Sequence, residues 1–418
     1  MQSTQSTQST HATLNRTAFA QRFATVRQHT LALAAPLSVE DMGLQSMPDT
    51  SPAKWHLAHT TWFFETVVLL AHAPGYRAVN ERWMPLFNSY YEALGPRHPR
   101  PQRGLLSRPG VDEVLAYRAS VDAALARFVF EADADALAAA SPLIELGLNH
   151  EQQHQELLLT DVLHAFSLNP LQPALHIETS APSAVTSRPE GWHEHAGGLA
   201  EVGFAGNSGF AFDNETPRHQ VLLQPHALAR RLVNNGDYLN FMQDGGYSQP
   251  ALWLSDGWAQ VQTHGWQAPL YWQIDADGQP QAQFGLYGMQ PWRADEPVRQ
   301  LSFFEASAYA EWVGARLPTE FEWEAAAQVE SICPGSFSGL HGQVWQWTRS
   351  SYDPYPRFRP LAGAVAEYNG KFMVGQIVLR GSSQATPAGH ARDSYRNFFP
   401  PATRWQFAGL RLARDLSG

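Results

Sequence analysis

Cysteine is almost missing: Cys333 stands alone in 418 residues. A disulfide within one chain needs a pair and a cysteine-based zinc finger needs at least two, so both are excluded. Lysine is nearly as scarce, with only Lys54 and Lys371 present and arginine carrying the remaining positive charge. No apolar run approaches the roughly 18 residues that cross a bilayer as a helix. The opening MQSTQSTQSTHATLNR has neither a basic start nor an apolar stretch, unlike a secretory signal. Acid outweighs base, giving a formal net charge of -10 at pH 7, which argues against nucleic acid or an anionic membrane as partner. A cytoplasmic protein is the expectation.

What is present is apolar and aromatic, 44% and 12% of residues, in a chain long enough for two or three domains. Residues 1–16, with their QST triplets, read as a disordered tail. Residues 17–175 read as helices, with apolar positions spaced by three and four in TAFAQRFATVRQHTLALAAPL and GVDEVLAYRASVDAALARFV. SPAKWHLAHTTWFFETVVLLAHA opens on Ser-Pro, a helix-start signal, and SPLIELGLNHEQQHQELLLTDVLHAF continues the helical pattern. Four long helices with one extended crossover, near residues 74–109, predict a four-helix bundle. Residues 176–196 read as an exposed linker rich in Ser, Ala and Pro. Residues 197–418 turn to Gly, Pro, Trp and short strand-like runs, which predicts a compact α+β domain with short helices at FFEASAYAEWVGA and PTEFEWEAAA.

The stretch NHEQQHQE carries the chemistry. His150 and His154 lie four apart, so a helix turns both to one side. Two imidazoles are too few for a closed site, and a bundle takes ligands from facing helices, which makes His56 or His59 in WHLAH the natural third. The same five residues fit H-E-x-x-H of zinc metalloproteases, with Glu151 as general base. The extended form of that motif fails, since Leu157 stands where Gly belongs and Thr160 where His belongs. Glu178 could serve as a downstream carboxylate ligand for zinc, though it falls in the expected linker rather than on a helix.

Longer motifs point elsewhere. SMPDTSPAKWHLAHTTWFFE, NSYYEALGPRHPRP and NHEQQHQELLLTD resemble the DinB-like bundle of the sulfoxide synthases of ergothioneine biosynthesis. ARLPTEFEWEAAA, GQVWQWT, EYNGKFM and YRNFFPPATRWQFAGLRLAR resemble their second domain, which has the formylglycine-generating-enzyme fold related to C-type lectins. The resemblance implies a non-heme iron(II) enzyme that uses dioxygen to join sulfur to C2 of the imidazole of hercynine, the trimethylated betaine of histidine. It places the iron ligands on His59, His150 and His154, leaves His56 outside the ligand set, and gives Glu151 to the helix surface or an outer shell.

By the same resemblance Gln153 hydrogen-bonds the substrate imidazole, and Tyr91, or less directly Tyr90, supplies a phenol near the reacting oxygen. Asn397, Phe398 and Phe399 border the trimethylammonium group, a cation that aromatic faces can recognise and hydrogen bonds cannot. Arg396 and Arg404 are candidates for a substrate carboxylate, as are Arg97 and Arg100.

Three departures stand out. A lone Cys333 excludes the cysteine-pair chemistry of formylglycine-generating enzymes. Gln343 and Gln346 replace the carboxylate and amide usual in GQVWQWT, so calcium is not predicted. Closely related sulfoxide synthases read KFMCGQ and RGGSCATP where this chain reads KFMVGQ and RGSSQATP, so Val374 and Gln384 stand for cysteines and Ser382 for glycine. That lean is toward the neighbouring selenoneine synthases, which join a selenosugar to the same hercynine carbon. The alternative donor is cysteine or γ-glutamylcysteine, and drift of two buried cysteines would explain the same letters.

Overall fold

The computed structural model describes residues 16–176, 189–206 and 209–416. The expected tail, most of the expected linker and Glu178 lie outside these residues. Four long helices form the first half: α1 (Arg16–Ala34), α2 (Ala53–Phe63), α3 (Val111–Glu131) and α4 (Ala134–Ser167). Helix α2 is buried at every residue from Trp55 to Phe63, with His56, His59, Thr60 and Thr61 among its apolar side chains, as befits the central rod of a bundle. After Phe63 it widens into a π turn, Phe64–Leu69, a local irregularity that often accompanies functional sites. Glu65 in that turn is buried and accepts from Tyr76 Oη (3.0 Å), Val79 N (2.8 Å) and Tyr117 Oη (2.6 Å).

Helix α4 begins at Ala134, ahead of the Ser141-Pro142 pair, and carries Pro142 inside. Asp133 caps the true end, its Oδ1 accepting from Ala136 N at 2.8 Å. Burial of Leu137, Ala140 and Ile144 holds the extra turns against the bundle and offsets the hydrogen bond that proline cannot make. The crossover between α2 and α3 is a chain of short helical turns that lays residues 88–95 over the bundle. Asn88 pins that loop, donating to Tyr91 O (2.9 Å) and Gly95 O (3.1 Å) and accepting from Tyr91 N (3.1 Å).

Among the described residues the second half holds four small sheets. Strand β1 (Trp192–His195) falls inside the expected linker, where its pairing with β4 (His226–Ala229) overrides a composition that reads as loop. β2 (Gly198–Val202) pairs with β3 (His219–Leu223), and β5 (Trp272–Ile274), β6 (Pro280–Gly285) and β7 (Gly288–Pro291) form a meander. β8 (Trp345–Ser351), β9 (Ile377–Arg380), β10 (Asn397–Phe399) and β11 (Ala408–Gly409) form a mixed sheet in the order β10-β9-β8-β11. β12 (Ala413–Asp415) closes the first sheet against β4. Helices α5 (Asn235–Gln243), α6 (Ser255–His264), α7 (Phe303–Trp312) and α8 (Glu320–Ile332) cover them. α7 and α8 start on reciprocal caps, Ser302 with Glu305 and Thr319 with Glu322. No described helix is long and apolar enough to cross a membrane.

Candidate metal centre

His59 on α2 faces His150 and His154 on α4, and one ring nitrogen of each lies within 4.8 Å of the others. All three are buried. His59 Nε2 and His150 Nε2 stand 3.2 Å apart. His59 Nδ1 lies 2.6 Å from Phe87 O, so that nitrogen carries the proton and Nε2 is bare. Burial, helped by the neighbouring rings, pushes the His59 and His154 imidazoles well below their ordinary range, and burial brings His150 to about 3. The rings are therefore neutral and able to offer lone pairs.

This donor set fits a divalent transition ion. Metal–nitrogen bonds of about 2.1 Å meeting at a right angle put the nitrogens roughly 3.0 Å apart, close to the spacing seen. With no carboxylate in the group, magnesium and calcium are poor matches. Trp55 stacks on His59 at 4.6 Å and 11°, Trp62 lies on its other flank at 5.6 Å and 16°, and Phe63 packs 4.7 Å from His150. These rings pack the bundle side of the histidine cluster.

Glu151 points the other way. Expected on the helix surface or in an outer shell, it is fully buried, bound by Arg27 Nη1 (2.8 Å), by Thr30 Oγ1 (2.5 Å) and by Arg118 Nη2. Burial alone would raise its carboxyl, yet Arg118 and Arg27 hold it down to about 2. A base whose oxygens are all taken by Arg27, Arg118 and Thr30 cannot activate water for peptide cleavage. The metalloprotease reading fails on that geometry.

The second domain reaches the centre through Gln153. Its Nε2 donates to Tyr395 Oη at 2.7 Å and its Oε1 accepts from Tyr368 Oη at 2.5 Å, while the Tyr368 ring stands 5.6 Å from His150. One turn on, Glu156 accepts from Trp345 Nε1 (2.7 Å), Ser383 Oγ (2.6 Å) and Thr386 Oγ1 (2.7 Å). The tyrosine loop is gripped from the same side: Glu367 accepts from Ala93 N at 2.9 Å, and Lys371 Nζ donates to Tyr90 O.

The phenol of Tyr91 is fully buried, 5.8 Å from the Trp62 ring and 4.6 Å from that of Tyr90. Its hydroxyl has no hydrogen-bond partner at ordinary geometry among the described residues, and burial pushes it well above the usual phenol range. Tyr90 is half-buried and packs edge-on against Phe372 at 5.1 Å. Asn397, Phe398 and Phe399 form β10, with Phe398 stacked on Tyr352 at 4.0 Å and Phe399 packed against the core.

Six expected contacts are corrected. Arg396 is not open to a substrate carboxylate: Nε and Nη2 grip Glu320 at 2.8 and 2.9 Å in the interior. Arg404 is spent likewise on Glu305 at 2.6 Å and stacks on Trp266. Val374 and Gln384 are both exposed, so neither replaces a buried cysteine and neither lines the buried centre. Arg97 pairs with Glu92 at the surface, and Arg100 binds Asp49 O.

Sequence reasoning passed over Arg103, Trp55, Trp62, Tyr368 and Tyr395. Arg103 is buried without a carboxylate partner, lies 3.4 Å over the Trp55 ring and falls to about 8 through burial and repulsion by Arg100. Its place three residues after Arg100 in an arginine-rich run was the signal available.

Known proteins share this plan. The model of the sulfatase-modifying factor enzyme 1-like domain matches residues 184–331 and 334–416, and that of the DinB superfamily matches residues 22–158. A hercynine oxygenase of Mycobacterium tuberculosis is 32% identical, over 88% of this chain and 92% of its own length. That of Mycolicibacterium smegmatis is 30% identical, over 96% and 99%. A formylglycine-generating enzyme of Streptomyces coelicolor is 31% identical over 36% of this chain and 48% of its own.

Proposed function

The chain belongs to the hercynine oxygenase family, and from that premise we propose that it is an iron(II)- and dioxygen-dependent enzyme forming a carbon–chalcogen bond at C2 of the hercynine imidazole. The observation that carries this reading is the convergence of His59, His150 and His154, neutral and buried, beneath a wall contributed by the other domain. A ferrous ion held by these three would supply the redox chemistry with dioxygen and leave positions for both substrates. It would also keep its full positive charge, because no ligand is anionic.

The remaining work falls to side chains. Gln153 is proposed to receive the hercynine imidazole, exchanging one of its two phenol partners for the substrate ring. Tyr91, protonated at neutral pH and without a partner for its hydroxyl, is proposed to deliver a proton from Oη to the developing product. Trp55, Trp62 and Phe63 keep water from competing. The β10 residues Asn397, Phe398 and Phe399 are proposed to meet the trimethylammonium group.

For the donor we propose a selenosugar, with cysteine or γ-glutamylcysteine as the alternative. Its support is the pair of departures at Val374 and Gln384, whose exposure makes them features of the outer surface that a bulky polar donor would meet before entry. Small-molecule substrates and a cytoplasmic setting go with this reading. Iron-loaded protein given hercynine and air, with each donor in parallel, tests it by mass spectrometry. A selenium-bearing conjugate from the selenosugar is expected. A sulfoxide from a thiol donor alone would assign the chain to ergothioneine synthesis, and no product from any donor would sink the catalytic reading.

A further inference from the structure

We propose that His56 and Asp161 are positioning residues that dictate which nitrogen of His154 faces the metal, leaving His150 as the one ligand whose outer nitrogen no hydrogen bond fixes. The proposal rests on the metal reading of the three histidines. It concerns how their rings are held, which that reading leaves open.

The chain of hydrogen bonds has one consistent direction. Asp161 Oδ2 accepts from Ser51 N at 2.8 Å and lies 3.0 Å from His56 Nε2. A carboxylate oxygen is an acceptor, so His56 Nε2 carries a proton. His56 Nδ1 then meets His154 Nδ1 at 2.8 Å, and one of the two must donate. Were His56 the donor, the neutral His154 would hold its proton on Nε2 and could not ligate through it. His154 must therefore donate from Nδ1, which bares Nε2 toward His59 and His150. The aspartate, two turns beyond His154 on α4, selects the tautomer of the ligand through an intervening ring.

The surroundings keep that chain from rearranging. Ser51, His56 and Asp161 are all buried, and Trp55 closes the side of the chain by meeting His56 edge-on at 5.9 Å and 78°. His59 is fixed independently by Phe87 O. His150 has no such anchor: its Nδ1 is buried without a partner, between Phe63 and Tyr368. Two ligands are thus preset, and the third, the one nearest the second domain, is not.

Partners of this kind typically matter about 10–100-fold in metal affinity. The decisive measurement is cobalt(II) affinity by chelator competition, which needs no hercynine and no turnover. His56→Phe and Asp161→Ala are each expected to weaken cobalt by roughly 10–100-fold with circular dichroism unchanged. Wild-type affinity in a folded His56→Phe protein overturns the proposal. Should that variant not fold, nitrogen-15 spectra of histidine-labelled wild-type protein decide alone. The expected result is His154 protonated on Nδ1 and His56 on Nε2; the reverse tautomer at His154 overturns it. Iron-loaded wild-type protein that fails to turn over hercynine, with cobalt affinities behaving as expected, would instead count against the functional reading only.

Discussion

His150 and Glu151 are neighbours in the chain and stand roughly 100° apart round α4, and the faces they occupy are built by opposite rules. On the glutamate side the carboxylate itself is fully taken: Arg27, Arg118 and Thr30 close on it, and Arg27 also holds Asp122 at 2.7 Å. On the histidine side lone pairs point at one another, and His150 Nδ1, Tyr91 Oη and Trp62 Nε1 are buried without partners. The closed face is what a bundle needs to stay folded. The open face has acceptors and donors in excess of what folding uses, and that surplus is the mark of a place where something else binds.

Replacing a residue on each side separates the two most sharply. His154→Ala should cost more than about 100-fold in metal affinity, beyond the loss expected for an outer partner, with the fold intact by circular dichroism. Metal analysis of the purified protein checks it. Glu151→Gln should do the reverse, since two buried guanidiniums lose their counter-charge. A loss of about 3–5 kcal/mol in urea unfolding is expected, with the metal retained by the protein that remains folded. A Glu151→Gln protein as stable as wild type would erase the contrast.

Acid should take the two faces apart in sequence. His150 has its folded pKa depressed from 6.5 to about 3, so the unfolded chain binds the extra proton first. Stability of the metal-free protein is then full above pH 6.5 and falls on acidification toward pH 3, by about 1.4 kcal/mol per pH unit for that one group. Buried His390, also lowered to about 3 by burial, adds to the same window. Glu151 is depressed from 4.5 to about 2, so its contribution is present above pH 4.5 and is lost only below it. Urea midpoints between pH 7.5 and 4 should show the first window, and Glu151→Gln should leave its slope unchanged.

The smallest effect lies away from both faces. Ser382 has φ +86°, in the left-handed region, and its Oγ accepts from Gly342 N at 2.9 Å. Ser382→Ala keeps the backbone cost and loses the bond, for about 1 kcal/mol. Ser382→Gly sheds a strain of roughly 1–2 kcal/mol along with the bond, and should be near neutral by the same urea assay.

What the sequence showed and hid follows from distance along the chain. The helical pairing of His150 with His154 is local, and the bundle's apolar spacing is local, so both are readable. The division of H-E-x-x-H between two faces is not, because the arginines that claim Glu151 come from other helices. Arg396 and Arg404 were misjudged for the same reason: Glu320 and Glu305 lie 76 and 99 residues away. The phenols on Gln153 are more than 200 residues distant, and nothing in NHEQQHQE announces them. Asp161 was within reach, seven residues after His154 on the same side of α4, but an acidic residue there reads equally as a solvated helix position.

The scarcity of lysine acquires a practical meaning beside these contacts. Both side-chain amines are engaged, Lys54 with Leu106 O at 2.7 Å and Lys371 with Glu367 at 2.7 Å and with Tyr90 O. An amine-selective reagent has only these two side-chain amines to modify, and one of them rivets the tyrosine loop to the second domain. The labelling rate of Lys371 therefore reads, in a single peptide, how often that seam comes apart.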